Sequence, residues 1–263
     1  MTPSPFDPGA LTLKGKKGLV VGIANDQSIA YGCARAYRHL GADLAVTYLN
    51  DRAKSFVEPC AKAVEAALFE PLDVTKDGEL EALFEKIEKQ WGQLDFLLHS
   101  IAFAPMNDLH GRVVDCSRDG FLLAMDVSVH SFIRMAHLAE PLMKNGGAMA
   151  TMSYFGSQKV VANYNIMGPV KAALESAARY LAAELGPKGI RVHAISPGPL
   201  KTRAASGIAS FDELLNDAAE RAPKRALVGI DDVGIATAYL ATDASRLITG
   251  NVVYIDGGYH IMG

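Results

Sequence analysis

The sequence predicts an α/β fold: one doubly wound domain in which a seven-stranded parallel sheet carries helices on both faces. Three observations carry that expectation. Short apolar runs alternate with longer helical patterns along the 263 residues. Several of the runs are continuously apolar, as parallel strands covered on both faces are. No low-complexity linker or internal repeat divides the chain, so a single domain over residues 1–263 is expected. A strand and helix order of this kind builds βαβ units with right-handed crossovers.

The strands read in order are 18–24 (GLVVGIA), 43–49 (DLAVTYL), 67–74 (ALFEPLDV), 94–100 (LDFLLHS), 147–153 (GAMATMS), 190–196 (IRVHAIS) and 251–257 (NVVYIDG). Helical patterns lie between them: Ile29 to Leu40 before Gly41, Asp51 to Ala66, Glu79 to Trp91 before Gly92, Phe121 to Met143, and Ala172 to Leu185 before Gly186-Pro187. A glycine just past Leu40 and Trp91 suits a left-handed C′ residue. The segment from Pro197 to Val228 is too long for an ordinary connection and is expected to be a substrate-covering lid. Within it, Phe211 to Arg221 is helix-like, with Leu214 and Leu215 as covering side chains, and Ala204-Ala205-Ser206-Gly207 accepts several conformations.

Composition narrows the function. With 49% hydrophobic and 21% charged residues the chain lies far from disordered compositions. Its 26 Lys and Arg against 29 Asp and Glu give a net charge of -3, without the basic excess of a nucleic-acid binder. Cys33, Cys60 and Cys116 form no C-x-x-C pair and are read as buried thiols of a reduced, cytoplasmic protein. Neither a leader pattern nor an apolar run of roughly 18 residues occurs, so no membrane association is expected.

The first strand runs into Gly22-Ile23-Ala24-Asn25-Asp26-Gln27-Ser28-Ile29-Ala30-Tyr31-Gly32. A dinucleotide pyrophosphate needs a tight turn and free N–H groups at a helix start. Gly22 supplies the turn, Ser28 a hydroxyl and N–H, and Ala30 and Gly32 a close approach of helix to sheet. The usual G-x-G-x-x-G is absent, so a plain first turn is an equal reading. After the second strand, Leu49 and Asn50 are neutral and Asp51 is acidic, which favours a ribose hydroxyl over a 2′-phosphate; Arg52 is the opposing feature. Asp73-Val74 can hold adenine, or Asp73 can simply cap a turn. His99 reads as a packed core histidine. No histidine shows metal-ligand spacing, and no catalytic metal is expected.

Ser153-Tyr154-Phe155-Gly156 and Asn163-Tyr164-Asn165-Ile166-Met167-Gly168-Pro169-Val170-Lys171 carry the chemistry. Tyr164 and Lys171, seven apart, are expected two helical turns apart on nearly one face. A phenol there hydrogen-bonds a developing oxyanion, while the ammonium holds a ribose and lowers the phenol's pKa. Such a pair is more often solvated; its place after the fifth strand of this sheet argues otherwise.

On these residues the chain resembles the short-chain dehydrogenase/reductase superfamily, and more closely the bacterial type I enoyl-acyl-carrier-protein reductases. The likeness runs from about Leu13 to Ile261 through G-I-A-N-D-Q-S-I-A-Y-G, L-D-V, H-S-I-A-F-A-P, S-Y-F-G, N-Y-N-I-M-G-P-V-K, A-I-S-P-G-P-L-K-T, A-A-S-G-I and I-D-G-G-Y. Tyr-x6-Lys and His-Ser-Ile-Ala replace the superfamily's usual Tyr-x-x-x-Lys and Asn-Asn-Ala-Gly, and both point to the enoyl-reductase branch. The resemblance implies a Rossmann-type fold and NADH-dependent reduction of the trans-2 double bond of enoyl thioesters on acyl carrier protein. It also implies a cytoplasmic homotetramer. It places Gly22, Ser28, Ile29, Leu49, Asp73, Val74, Ile101, Lys171, Leu200, Lys201, Thr202, Arg203 and Ala204 at the NADH site. Tyr154 and Tyr164 would face the thioester, and Ala104 the acyl chain. Leu49, Pro197 and Pro169 depart from the family pattern, and Pro169 is expected to reshape its helix's first turn. The alternatives are a short-chain carbonyl or alcohol oxidoreductase and a catalytically silent dinucleotide-binding regulator.

Overall fold

The computed structural model describes residues 7–202 and 211–262. The first half runs β1 (Lys17–Val21), α1 (Ile29–His39), β2 (Asp43–Tyr48), α2 (Asp51–Ala63), β3 (Leu68–Pro71), α3 (Glu79–Trp91) and β4 (Phe96–His99). The second runs α4 (Met106–His110), α5 (Arg118–Met125), a π-helical turn (Asp126–His130), α6 (Ser131–Ala139), β5 (Gly147–Met152) and α7 (Met167–Leu185). It closes with β6 (Ile190–Pro197), α8 (Phe211–Arg221), α9 (Ile230–Ala241) and β7 (Val252–Ile255). The seven strands form one sheet, all neighbours parallel, in the order β3-β2-β1-β4-β5-β6-β7.

Both faces of that sheet are covered, which is why the strands show no polar alternation. Leu19 and Val21 of β1 pack with α3, α6 and α7 on one face, whereas Val20 packs with α1, α2 and α9 on the other. Each such fully buried side chain contributes roughly 1.5–3 kcal/mol. The order reverses at β1, whose neighbours are β2 and β4, with Val21 opposite His99. An open crevice at the carboxyl ends of the strands follows from that reversal.

Several expectations change. The helix read over Phe121 to Met143 is α5, the π turn and α6, closed by a tight turn at Glu140–Leu142 that contains Pro141. The helix read from Ala172 begins at Met167, with Pro169 third in it; its missing N–H falls among the first four, which have no intrahelical partner, so the turn is not reshaped. Helix α9 escaped the sequence reading because Gly234, Ala236 and Ala238 give it no bulky stripe. Its contact explains Gly32: a Cβ there would lie 2.2 Å from the Ile230 carbonyl oxygen, and one at Gly234 would lie 2.4 Å from the Gly32 oxygen. Gly32 thus serves helix-to-helix contact rather than helix-to-sheet. Finally, Cys33 and Cys60 are buried, but Cys116 is partly exposed because it sits in the surface turn before α5.

Candidate active site

A cleft of about 380 Å³ opens at the carboxyl ends of the central strands. Its floor begins where β1 and β4 end together. Gly22 has φ +113°, and a Cβ on it would fall 2.1 Å from the Ser100 carbonyl oxygen, so both the left-handed backbone and the close approach require glycine. In the turn that follows, the Ser28 hydroxyl accepts hydrogen bonds from the N–H groups of Ala24 and Asn25, each 3.0 Å, while its own N–H donates to the Asn25 carbonyl. The sequence reading offers both groups of Ser28 to a phosphate; in this structure they also bond within the turn. Ile29, the first residue of α1, lines the cleft.

The β2 and β3 ends lie to one side. Leu49 is exposed, and the Asn50 side chain caps α2 by accepting from the Ala53 N–H at 3.0 Å. Asp73 Oδ1 accepts from the N–H and hydroxyl of Thr75, at 3.0 and 2.7 Å, which is the turn role weighed from the sequence. Val74 is buried and its carbonyl accepts from Arg134. Across the cleft, Leu200 and Thr202 line it, whereas Lys201 is exposed and pairs with Asp212 at 3.0 Å. Arg203 and Ala204, with Ala205, Ser206 and Gly207 of the lid, lie outside the described residues.

His99 ends β4 fully buried, its ring nitrogens 2.8 Å from Thr151 Oγ1 and 2.9 Å from Ser131 Oγ. Burial holds its pKa down to about 3, so it is neutral and structural, as a core histidine should be. The π turn sets the neighbouring loop: Ser128 Oγ accepts from the Phe103 N–H at 3.0 Å and donates to the Phe103 carbonyl at 3.3 Å. Ile101, Phe103 and Ala104 then face the cleft.

Tyr154, Tyr164 and Lys171 meet at this cleft. The two phenol rings stand edge to face with centroids 4.9 Å apart, and Gly156 is packed so closely that a Cβ would lie 2.5 Å from the Tyr164 ring. Tyr164 is not on a helix. It sits three residues before α7 between Asn163 and Asn165, both with positive φ, in a turn that replaces the expected two helical turns. Lys171 is buried in α7 and donates to the Met152 carbonyl at 2.6 Å. Burial lowers its pKa to about 8 against an opposing push from Glu175. The expectation that Lys171 lowers the Tyr164 pKa is overturned: burial, then Tyr154 and Glu175, hold that phenol well above its ordinary value. Tyr164 is therefore protonated near neutrality, which is the state a hydrogen-bond donor needs. Burial, then Tyr259, Asp217 and Asp256, raise Tyr154 as well, and its buried hydroxyl makes no hydrogen bond among the described residues.

These groups fit a nicotinamide nucleotide. Lys171 has three N–H donors and one recorded acceptor, which leaves donors for ribose hydroxyls beside a mostly apolar wall. Residues the sequence reading did not single out complete that wall, notably Met106 and Leu109 of α4 and Gly198 and Pro199 after β6. Helix α4 spans only five residues, too few for periodicity to mark it. Among the described residues no group of three or more His, Cys, Asp or Glu could hold a metal ion.

A family model described as enoyl-(acyl carrier protein) reductase matches residues 22–260. The chain belongs to the enoyl-(acyl carrier protein) reductase family. Its relatives include enoyl-[acyl-carrier-protein] reductase [NADH] 1 of Rhizobium meliloti, 45% identical over 95% of this chain and 92% of that one. The Rickettsia conorii enzyme of the same description is 44% identical over 95% and 96%. Among solved structures, the Anaplasma phagocytophilum reductase in complex with NAD superposes with a TM-score of 0.92 at 45% identity, covering 95% of this chain and 96% of that one. The Bacillus cereus enoyl-acyl carrier protein reductase, solved with NADP+ and indole naphthyridinone, gives 0.93 at 44% identity, covering 95% and 98%.

Proposed function

We propose that this chain reduces the trans-2 double bond of enoyl thioesters carried on acyl carrier protein, in bacterial fatty-acid elongation, with NADH as reductant. The observation that carries the reading is the convergence of Tyr154, Tyr164 and Lys171 on one cleft at the sheet's carboxyl end, in a member of this family. Bound NADH supplies the hydride. Lys171 holds the ribose hydroxyls, Gly22 and the turn to Ile29 receive the pyrophosphate, and Ile101 lies against the nicotinamide. Leu49, Asp73 and Val74 line the adenosine end, where neutral Leu49 and Asn50 favour NADH over NADPH. Ser28 contributes by shaping the turn. Leu200, Lys201 and Thr202 cover the cofactor from the start of the lid, and Ala104 lies beside the acyl chain.

Reduction at C3 places negative charge on the thioester oxygen. The Tyr164 phenol donates a hydrogen bond to that oxygen, and Tyr154 orients the thioester beside it. The enzyme works as a cytoplasmic homotetramer. Among the described residues no helix is long and apolar enough to cross a membrane. The test is loss of NADH absorbance with crotonyl and acetoacetyl thioesters in parallel. Turnover of the first and not the second is expected; the reverse would make the chain a carbonyl reductase, and turnover of neither would leave a silent dinucleotide binder.

A further inference from the structure

We propose that Glu175 is a positioning residue for this site: its carboxylate ties down both ends of the segment Ser153–Ser157 that carries Tyr154, and sets a negative charge one helical turn from Lys171. The proposal deepens the functional reading above and rests on it. Glu175 is 4% exposed, in the middle of α7. A buried carboxylate is costly unless it is hydrogen-bonded and paired. Its Oε1 accepts from Ser153 Oγ and from Ser157 Oγ, both at 2.6 Å, the short lengths of charge-assisted bonds. Ser153 is the residue that leaves β5, and Ser157 ends the tight turn Phe155–Ser157. Between them lie Tyr154, whose ring meets Tyr164, and Gly156, packed on the Tyr164 ring. One carboxylate therefore fixes the loop that holds both phenols in register.

The same carboxylate acts on Lys171. Four residues apart on α7, the two share a helix face. The groups around them are few. His99 from the end of β4 senses Lys171, the Tyr154 and Tyr164 phenols share its cleft, and Tyr164 and Tyr254 sense Glu175. His99 is neutral and the phenols are protonated across pH 7 to 9, which leaves the ammonium as the group that titrates there. Loss of the Glu175 charge should move that titration to lower pH.

Two substitutions separate the roles. Glu175→Gln keeps an oxygen for both serines and removes the charge; Glu175→Asp keeps the charge but is one methylene too short to reach both hydroxyls. The measurements are NADH dissociation constants by calorimetry from pH 7 to 9.5, and kcat with crotonyl thioester. In the parent, affinity should weaken as pH rises through about 8, where Lys171 loses its proton. In Glu175→Gln that weakening should begin about 1 pH unit lower. In Glu175→Asp it should stay in place while kcat falls about tenfold, because the phenols are no longer held in register. A Gln variant whose profile superposes on the parent, or an Asp variant with kcat within about twofold, overturns the proposal. Where near-ultraviolet circular dichroism shows a variant unfolded, Ser157→Ala carries the test. It should lower kcat severalfold with the NADH profile in place, and an unchanged kcat overturns the clamp. Lys171→Ala with unaltered NADH affinity would instead refute the site assignment itself, a result separable from any behaviour of Glu175.

Discussion

In the proposed reaction, a phenol that stays protonated and an ammonium whose pKa is lowered to about 8 divide the work of the site between two residues. On that reading, Tyr164→Phe removes one donor to the thioester oxygen. Turnover should drop by roughly 10²–10³, the cost of losing a single preorganised donor, with the NADH dissociation constant nearly unchanged. Lys171→Ala should raise that constant first. Full activity in both variants would end the assignment. A different residue should contribute to acid sensitivity. His193 is fully buried in β6 with neither ring nitrogen hydrogen-bonded among the described residues, and burial, then Arg191, lowers its pKa from 6.5 to about 4. Between those values the unfolded chain binds the proton and the folded chain does not, so stability present above pH 6.5 is lost as pH falls toward 4. His193→Leu should narrow the gap between urea midpoints at pH 7 and pH 5; an unchanged gap would exonerate this histidine. At this scale the sequence was informative about residue type and weak on environment. Tyr154, Tyr164 and Lys171 were legible from spacing and resemblance, whereas Glu175 was not, because one glutamate in a helix looks like any solvated one until its burial is known.

Most elements were legible because the central strands are buried on both faces and most long helices have a stripe and a stop. Helix α3 matches its predicted bounds, set by Gly78 before it and Gly92 after it. Failures occurred where the physics is not periodic. The π turn adds a residue that shifts the phase of the apolar pattern between α5 and α6, and α9 replaces bulk with small residues. Backbone contact between α1 and α9 should therefore be sensitive to a single methyl. Gly234→Ala places a Cβ 2.4 Å from the Gly32 carbonyl oxygen, which cannot rotate away. We expect about 1–3 kcal/mol of destabilisation, seen as a lower Tm, with kcat per folded molecule retained. An unaltered Tm would mean that the two helices separate freely.

Across the whole molecule, the proposed lid over 197–228 is fastened at points that can be read. Tyr259 near the carboxyl end donates its hydroxyl to Asp217 of α8 at 2.6 Å while its ring stands edge to face with Phe155. Among the described side chains of α8 only Leu215 and Ala218 are buried, so its amides should exchange with deuterium faster than those of β1, β4 and β5, and slow on adding NADH with crotonyl thioester. Exchange as slow as in the central strands, with or without ligand, would argue that this segment does not open. The sheet order was not read from the sequence, because strand order leaves no mark on periodicity. The contact between α1 and α9 also bears on how the chain is made. Between His39, where α1 ends, and Ile230, where α9 begins, the ribosome must add 191 residues. At typical elongation rates that takes about 10 to 40 s. For that interval the apolar flank of α1 has no partner, so the first three strands cannot complete their layer as they emerge, and the final packing of the amino-terminal half waits on nearly the last part of the chain to be synthesised.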